Sequence, residues 1–267
     1  MQQSLSIPSR SKLSSKKRIY THKDLLSIAK GPIPKHIAII MDGNRRWETQ
    51  KYLISKKKEQ NHSGHKAGAE TLYYIIQCVQ ELKINTLTLF AFSTENWKRS
   101  QKEVQFLLNL IKEYLKNKQI DMVKTGIKLQ VIGNLDPLPI ELQNIIKESI
   151  QITSKGEFLN LVLAINYGSR NELLRTFKKI YNDLSLKKLN IHDVNEQIIS
   201  KYLDTASLCD PDLLIRTSGE MRISNFLLWQ IAYTEIYVTK TLWPDFGKKE
   251  LLAAIKTYQN RERRIGK

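Results

Sequence analysis

HIAIIMDGNRRW, residues 36–47, joins a short apolar segment directly to an acid, a glycine, an amide, two arginines and an indole. Residues 37–41 form an apolar run without polar alternation, which is typical of a strand buried on both faces of a parallel sheet. Asp42 follows where that strand is expected to end, and Gly43 lets the backbone approach a ligand closely. The next side chains can donate hydrogen bonds to an anion: Asn44, Arg45 and Arg46. The pattern predicts an anion and metal site at a strand end, with an ordinary polar loop as the alternative.

The same pattern recurs along the chain. Further strand-like segments are each followed by a polar cluster: residues 86–92 by STENWKR (93–99), 159–165 by NYGSR (166–170) and 212–215 by RTSGEMRIS (216–224). Between them apolar residues keep a helical spacing, as in Leu72, Ile75, Ile76, Val79 and Leu82. This alternation predicts an α/β fold with an open, mostly parallel sheet flanked by helices, whose ligands bind at the carboxyl ends of the strands. All four clusters are therefore expected to face one cleft, where arginines and serines suit phosphate oxygens and Asp42 with Glu235 supplies a Mg²⁺ site.

Length and composition favour a single enzyme domain. The 267 residues are 41% hydrophobic, which is enough to bury one full core. Residues 1–30 are rich in serine and lysine and are interpreted as a flexible basic N-terminal arm, with a cleaved organelle-targeting segment as the alternative. Residues 31–267 are predicted to form the single catalytic domain.

The formal net charge of +17 raises the question of nucleic-acid binding, but no helix-turn-helix, RNA-recognition or finger motif accompanies it. A phosphate-binding cleft, attraction to anionic lipid or the codon bias of an A/T-rich genome are the alternatives. Cys78 and Cys209 are the only cysteines, which excludes a disulfide framework and fits a reducing compartment. The dense apolar run 226–233 is far shorter than the roughly 20 residues of a membrane span. Peripheral membrane contact stays open.

Several phosphate and catalytic motifs are absent. The chain has no GxxxxGK[ST], GxGxxG, HExxH or GxSxG sequence, and no aspartate-rich DDxxD run. A phosphate-binding cleft in this chain must therefore be built without a P-loop.

From Pro34 to Gly266 the chain resembles the cis-prenyltransferases, the undecaprenyl diphosphate synthase family. The resemblance rests on five blocks in the family's order: HIAIIMDGNRRW (36–47), GHKAG (64–68), FSTENWKRSQKEV (92–104), NYGSR (166–170), and DLLIRTSGEMRISNFLLWQIAYTEIYVT (212–239) followed by LWPDF (242–246). It implies a cis-prenyltransferase-like fold with an apolar tunnel. It also implies a Mg²⁺-dependent isoprenyl transferase that condenses isopentenyl diphosphate with allylic diphosphates into a Z-configured polyprenyl diphosphate, a lipid carrier precursor.

The resemblance also assigns roles to residues. Asp42 would hold Mg²⁺ and assist departure of the allylic diphosphate, with Glu235 as a second acidic contributor. The expected allylic diphosphate site comprises Gly43, Asn44, Arg45, Arg46, Trp47 and His65. The expected isopentenyl diphosphate site comprises Arg216, Arg222, Ile223 and Ser224. A further substrate-contacting loop comprises Ser93, Thr94, Glu95, Trp97 and Arg99.

Asn96 matches the family position to which the role of proton acceptor is given. Because a neutral amide is a poor base, we interpret Asn96 as positioning a diphosphate oxygen or a water that takes the proton. The growing chain needs a dry tunnel, for which the helix face around Leu107, Leu108 and Ile111 is a candidate, with ordinary core as the alternative.

The chain departs from the family pattern between Trp47 and His65, where the segment 48–64 is longer. Asn61 stands where the family has an arginine, so one diphosphate contact is expected to be missing. Lys56, Lys57 or Lys58 would replace it only as point charges without the bidentate fork of arginine. Two further departures are interpreted as tolerated: Asn134 in place of aspartate, and Met221.

The C-terminal residues 264–266 resemble the family's RxG tail, so a homodimer is expected, with a fraying charged terminus as the alternative. Two other classes of function are the alternatives: a silent subunit that stabilises a synthase, and a basic nucleic-acid-binding protein. The presence of Asp42, Asn96 and the cleft arginines favours the active synthase, and no nucleic-acid partner is expected. The expected compartment is the plastid stroma or the bacterial cytoplasm, without a transmembrane segment.

Overall fold

The structure, a computed structural model, describes residues 18–55 and 62–261. Its strands form one six-stranded sheet with the order β3-β4-β2-β1-β5-β6. They are β1 His36–Ile40, β2 Thr86–Ser93, β3 Ile127–Ile132, β4 Leu159–Tyr167, β5 Leu213–Arg216 and β6 Glu235–Val238. Every neighbouring pair is parallel, so the predicted α/β fold is confirmed and the sheet is wholly parallel.

Helices cover the sheet and connect its strands, except that residues 217–234 join β5 to β6 by turns. They are α1 His22–Leu26, α2 Asn44–Ser55, α3 Ser63–Glu81, α4 Gln101–Lys124, α5 Ile140–Thr153, α6 Ser169–Ser185, α7 Glu196–Tyr202 and α8 Lys248–Gln259. Short 3₁₀ turns lie at Thr94–Lys98, Ile191–Asp193 and Trp243–Asp245. Over the two described ranges, no helix combines the length and the apolar character that crossing a bilayer requires.

Strand β1 lies between β2 and β5 and is buried along its whole length, as its unbroken apolar sequence predicts. Ile40 is paired with Arg216 at the end of β5, and Asp42 follows two residues later. On the other side of β1, Ser93 at the end of β2 is paired with Tyr167 at the end of β4. These carboxyl ends lie along one edge of the sheet, where the polar clusters follow.

The predicted boundary at residue 30 is wrong for residues 18–30, which pack against the domain. Tyr20 and Ile28 are buried in the main core, and Glu81 accepts hydrogen bonds from the backbone N–H groups of Ile19 and Tyr20 at 2.9 and 3.1 Å. Burial of these two apolar side chains and the capping box of α1 stabilise this polar segment against the domain. Residues 1–17 of the predicted arm lie outside the described residues.

His36 at the start of β1 makes stability depend on pH. Its ring nitrogens lie 2.7 Å from both the Cys209 carbonyl oxygen and Thr88 Oγ1, and burial lowers its pKa below 6.5. As the pH falls, His36 therefore takes up a proton in the unfolded chain before it does so in the folded one. The unfolding free energy falls between pH 6.5 and the lower pKa of the folded state, and this contribution is constant below that pKa. We expect the unfolding free energy between about pH 7 and pH 5 to fall more steeply in the wild type than in His36→Gln. Denaturant titrations at several pH values measure this free energy. An equal loss of unfolding free energy with falling pH in the two proteins would contradict the prediction.

Candidate active site

A cleft of about 580 Å³ opens at the carboxyl edge of the sheet. Predicted site residues that line it are Asp42, Asn44, His65, Ser93, Glu95, Asn96, Arg99, Arg216, Arg222 and Ser224. Three of the four predicted clusters thus meet in one place. The fourth, residues 166–170, does not line the cleft, and its first two residues belong to β4 rather than to a loop. This segment supports the turn Thr94–Lys98, because the side chain of Asn166 accepts a hydrogen bond from Trp97.

Asp42 and Arg216 form the charged centre of the cleft. Arg216 Nη2 donates to Asp42 Oδ2 at 2.9 Å, and the arginine side chain is only 5% exposed. Thr217 fixes the backbone of Asp42, because its hydroxyl lies 2.8 Å from the Asp42 nitrogen and 2.6 Å from the Asp42 oxygen. Burial alone would raise the pKa of Asp42, but the hydrogen bond and charge of Arg216 outweigh it and hold that pKa below its ordinary value. Asp42 is therefore ionised at neutral pH and partly open to a ligand.

Arg216 also organises the segment that follows β5. Its Nη1 donates to Ser224 Oγ at 2.7 Å and to the Arg222 carbonyl oxygen, which holds Ser224 at the rim of the cleft. Its Nε is buried and has no hydrogen-bond partner among the described residues. An unsatisfied buried donor costs free energy, so this guanidinium is suited to an anionic ligand that supplies further acceptors.

Arg46 lies beside this pair without lining the cleft. Its guanidinium donates to the carbonyl oxygen of Ser218 at 3.0 Å and to its hydroxyl at 2.5 Å, and it forms ion pairs with Glu220 at 3.2 Å and Asp42 at 3.5 Å. The backbone at Gly43 has φ +108°, and a Cβ there would lie 2.9 Å from a Leu242 methyl group. Only glycine therefore fits the turn that carries the chain from Asp42 into α2.

Close packing between α2 and α3 shapes the second wall. A Cβ at Gly64 would lie 2.0 Å from the carbonyl oxygen of Asn44, and a Cβ at Gly68 would lie 2.5 Å from its Oδ1. This explains both glycines of GHKAG, because any side chain there would push α3 away from Asn44. The Asn44 Oδ1 atom is buried without a hydrogen-bond partner in the described part of the chain.

His65, Arg99 and Glu103 form a third polar group. Arg99 Nη1 donates to Glu103 Oε1 at 2.8 Å, and His65 Nε2 lies 3.7 Å from the same oxygen. Burial, together with the charge of Arg99, lowers the pKa of His65, so its ring is neutral at pH 7. Sequence reasoning missed Glu103, although its spacing of four residues from Arg99 on α4 is the signal for such a pair.

The turn Thr94–Lys98 presents Asn96 to the cleft. Asn96 Oδ1 accepts the Ser93 N–H at 2.9 Å, which leaves its amino group to donate to a ligand. Trp97 Nε1 donates to Asn166 Oδ1 at 2.8 Å, and the Asn166 amide donates to the Asn134 carbonyl oxygen at 2.6 Å. The NYGSR segment thus anchors the turn from behind. The geometry agrees with Asn96 positioning an oxygen rather than acting as a base.

An apolar cavity of about 110 Å³ adjoins the cleft and shares its lining at Met41, Asn44, His65, Phe90, Ala91 and Leu107. From there it runs between α3 and α4, past Leu72 and Leu110 to Tyr114. Of the three residues predicted for a tunnel face, Leu107 and Ile111 line this cavity, whereas Leu108 packs in the core without lining it.

Some predicted site residues lie elsewhere. Glu235 begins β6 and is paired with Leu213 of β5. Leu213 is in turn paired with Ile37 of β1, and Ile37 lies five positions before Asp42 in the chain. At about 3.3 Å per residue this offset is roughly 16 Å along the sheet. Glu235 instead forms an ion pair with Arg261 at 2.7 Å. One chain therefore does not bring the two acids together, because Glu235 lies at the amino end of its strand.

The remaining predicted residues surround the cleft without lining it: Gly43, Arg45, Arg46, Trp47, Thr94, Trp97 and Ile223. Trp47 donates from Nε1 to Asp245 Oδ1 at 2.8 Å and supports α2. Asn61, the lysines at 56–58 and residues 264–266 lie outside the described residues. The predictions made for them stay predictions.

The described residues contain no group of three His, Cys, Asp or Glu side chains suited to hold a metal ion. Mg²⁺ keeps several waters and is usually held by one or two carboxylates together with substrate phosphates. Asp42, ionised at the cleft beside cationic side chains that suit a diphosphate, fits that mode of binding. Binding of Mg²⁺ in this way does not require that all of its ligands come from the protein.

Comparisons with known proteins identify the family to which the chain is similar. The family described as "Putative undecaprenyl diphosphate synthase" matches residues 40–266. An isoprenyl transferase of Chlamydia muridarum is 53% identical over 236 residues, which is 88% of this chain and 92% of the relative. A Prochlorococcus marinus isoprenyl transferase is 47% identical, covering 88% of this chain and 84% of the relative.

Two solved structures are also similar to the chain. Lavandulyl diphosphate synthase from Lavandula x intermedia, in complex with dimethylallyl diphosphate, has a TM-score of 0.83 at 34% identity and covers 88% of this chain and 99% of its own. A probable undecaprenyl diphosphate synthase from Campylobacter jejuni has a TM-score of 0.72 at 35% identity and covers 88% and 100%. The chain belongs to the undecaprenyl diphosphate synthase family of prenyltransferases.

Proposed function

We propose that the protein is an isoprenyl transferase that condenses isopentenyl diphosphate with an allylic diphosphate to form a Z-configured polyprenyl diphosphate. The observation that carries this is the junction of a cationic cleft around Asp42 and Arg216 with an apolar cavity between α3 and α4. A diphosphate with a hydrocarbon tail needs both environments side by side. Incorporation of labelled isopentenyl diphosphate that depends on an allylic primer tests the proposal.

The reaction breaks the allylic C–O bond, and its electron pair leaves with the diphosphate. The double bond of isopentenyl diphosphate forms the new C–C bond, and the adduct then loses a proton to an oxygen acceptor. Arg216, Arg222 and Ser224 bind the isopentenyl diphosphate, and Asn44 with the N-terminus of α2 faces the allylic diphosphate. Asn96 donates its amide to the oxygen that takes the proton.

Mg²⁺ is proposed as the cofactor, and when bound it neutralises charge on the leaving diphosphate. Asp42 would hold it, since this carboxylate is kept ionised by Arg216. Glu235 as a second ligand stays a prediction that the geometry of a single chain does not support. Because Arg216 is nearly buried, Asp42 also stabilises its position and thereby the isopentenyl diphosphate site.

Tyr114 is proposed as the floor of the tunnel that receives the prenyl chain. Leu107 lines both cleft and cavity, whereas Tyr114, seven residues further along α4, lines only the cavity. Two helical turns correspond to about 10 Å of depth. A growing chain therefore meets the phenol ring unless α3 and α4 separate.

Replacement Tyr114→Ala is expected to lengthen the products. Removing the ring opens space beyond Leu110 and Ile111, so that further condensations become sterically allowed before the chain end is stopped. Chromatography of the hydrolysed polyprenols by chain length measures this, with Leu108→Ala as a control that opens space in the core instead of the cavity. An unchanged length distribution in active Tyr114→Ala would contradict the assignment.

A homodimer is proposed from the apolar face that α6 leaves exposed. Leu174, Phe177 and Tyr181 recur at helical spacing on it and are 52%, 66% and 64% exposed. A second copy of this chain would cover that face by an isologous contact. Peripheral membrane contact, and a bacterial cytoplasm or plastid stroma as the compartment, stay predictions; the two isoprenyl transferases compared above come from bacteria, and the lavandulyl diphosphate synthase comes from a plant.

A further inference from the structure

Asn225 connects three segments that border the cleft. Its side-chain amide donates to Glu95 Oε1 at 3.0 Å, and its Oδ1 accepts the backbone N–H of Arg170 at 2.9 Å. Its backbone carbonyl accepts the N–H of Ser169 at 2.8 Å. The turn Thr94–Lys98, the start of α6 and the segment after β5 therefore meet at one residue.

The backbone at Asn225 limits which side chain can fill this place. Its φ is +63°, and the preceding Ser224 has φ +50°. Asparagine and aspartate tolerate this left-handed region better than other residues with a Cβ. The neighbouring Gly168 leaves the necessary room, because a Cβ there would lie 2.7 Å from Asn225 Nδ2. An amide is thus placed against Glu95 by a conformation that few other residues adopt.

Glu95 is the acceptor that this amide needs. Burial alone would raise the pKa of Glu95, but hydrogen bonds, led by that from Asn225, outweigh it and hold its pKa below the ordinary value. The carboxylate is therefore ionised and cannot donate in return. Glu95 precedes Asn96, and Ser224 precedes Asn225, so the bond joins two side chains that line opposite walls of the cleft, each next to another cleft-lining residue.

We propose that Asn225 is a positioning residue, whose bond to Glu95 fixes the distance between Asn96 on one wall and Ser224 with Arg222 on the other. This rests on the proposed function, in which these side chains face the proton acceptor and the isopentenyl diphosphate. Losing the bond uncouples the two walls and leaves the side chains of Asn96, Arg222 and Ser224 in place. The family blocks of the sequence do not reveal this role, because it depends on the contact between residues 130 positions apart.

The substitution Asn225→Asp tests the proposal with little backbone strain. Aspartate keeps the acceptor for the Arg170 N–H and tolerates the positive φ, but it places a second carboxylate against Glu95. A hydrogen bond to a charged group is lost, and we expect kcat to fall about 10- to 100-fold. The unfolding midpoint should change by less than about 4 °C. Asn109→Asp, an exposed change of the same charge on α4, is the matched control.

The double variant Glu95→Gln with Asn225→Asp reverses the direction of the bond, because glutamine donates and aspartate accepts. Its kcat should recover about tenfold over Asn225→Asp and approach that of Glu95→Gln alone. A residue with only a general structural role would not show this rescue. A double variant no better than Asn225→Asp overturns the proposal, as does Asn225→Asp with wild-type kcat.

Amide hydrogen exchange of the peptide covering residues 93–99 gives a readout that is independent of turnover. We expect faster exchange in Asn225→Asp than in the wild type or Asn109→Asp, and slower exchange again in the double variant. Unchanged exchange in Asn225→Asp overturns the coupling of the two walls. A wild-type protein that binds diphosphate but incorporates no isopentenyl diphosphate would overturn the proposed function instead, and the exchange data would still decide the coupling.

Discussion

Asp42→Asn is expected to lower kcat about 100- to 1,000-fold while the protein stays folded. Asparagine keeps the shape of the side chain and an oxygen that accepts from Arg216, so the change removes mainly the negative charge. Without it, the site loses its ionised oxygen ligand for a cation bound with the allylic diphosphate. Steady-state incorporation of labelled isopentenyl diphosphate measures the effect.

Two controls separate chemistry from folding in that experiment. Asp193→Asn, in the 3₁₀ turn Ile191–Asp193 outside the cleft, removes the same charge and should leave kcat unchanged. Thermal unfolding of Asp42→Asn should remain cooperative, because Thr217 still fixes the backbone at this position. Near wild-type activity in folded Asp42→Asn would exclude Asp42 from catalysis.

Arg216→Lys is expected to lower kcat/KM for isopentenyl diphosphate about 100-fold. The guanidinium divides its donors between Asp42, Ser224 and the Arg222 carbonyl oxygen, and a lysine ammonium cannot reach these acceptors in the same fixed geometry. The charge is kept, so the loss reports geometry rather than Coulomb attraction. We expect most of the effect in KM, since Ser224 would no longer be held at the rim.

Binding of inorganic diphosphate to Arg216→Lys provides a measurement without turnover. Calorimetric titration should give weaker binding than in the wild type, whereas Arg18→Lys, an exposed change at the start of the described chain, should leave the affinity unchanged. Equal affinities for wild type and Arg216→Lys would show that the fork of Arg216 does not contact the diphosphate.

The sequence predicts the catalytic edge of the sheet well because the physical signals there are local. The apolar run 37–41 suits only a central strand, and its residues 37–40 are buried in β1. Gly43 is needed where the chain turns between Asp42 and α2. The order of strands and helices then places Arg216 and Ser93 along the same edge. These inferences need only periodicity and the geometry of parallel connections.

Other parts of the site depend on contacts that no local pattern contains. The sequence and the family resemblance group Glu235 with Asp42 as acids of one Mg²⁺ site, but which end of β6 carries Glu235 follows only from the register with β5. The amphipathic pattern of α4 did not distinguish Leu108 in the core from Tyr114 in the cavity. The sequence does not reveal that Tyr20 and Ile28 are buried, because two apolar residues in a polar segment give no periodicity.

The central claim is tested most directly by incubating the purified protein with farnesyl diphosphate, radiolabelled isopentenyl diphosphate and Mg²⁺, and separating the products by chain length. The account predicts a ladder of polyprenyl diphosphates that requires the primer and disappears when a chelator is added. Folded protein that yields no labelled product under these conditions, or that binds nucleic acid in a salt-dependent manner and ignores diphosphates, would contradict it.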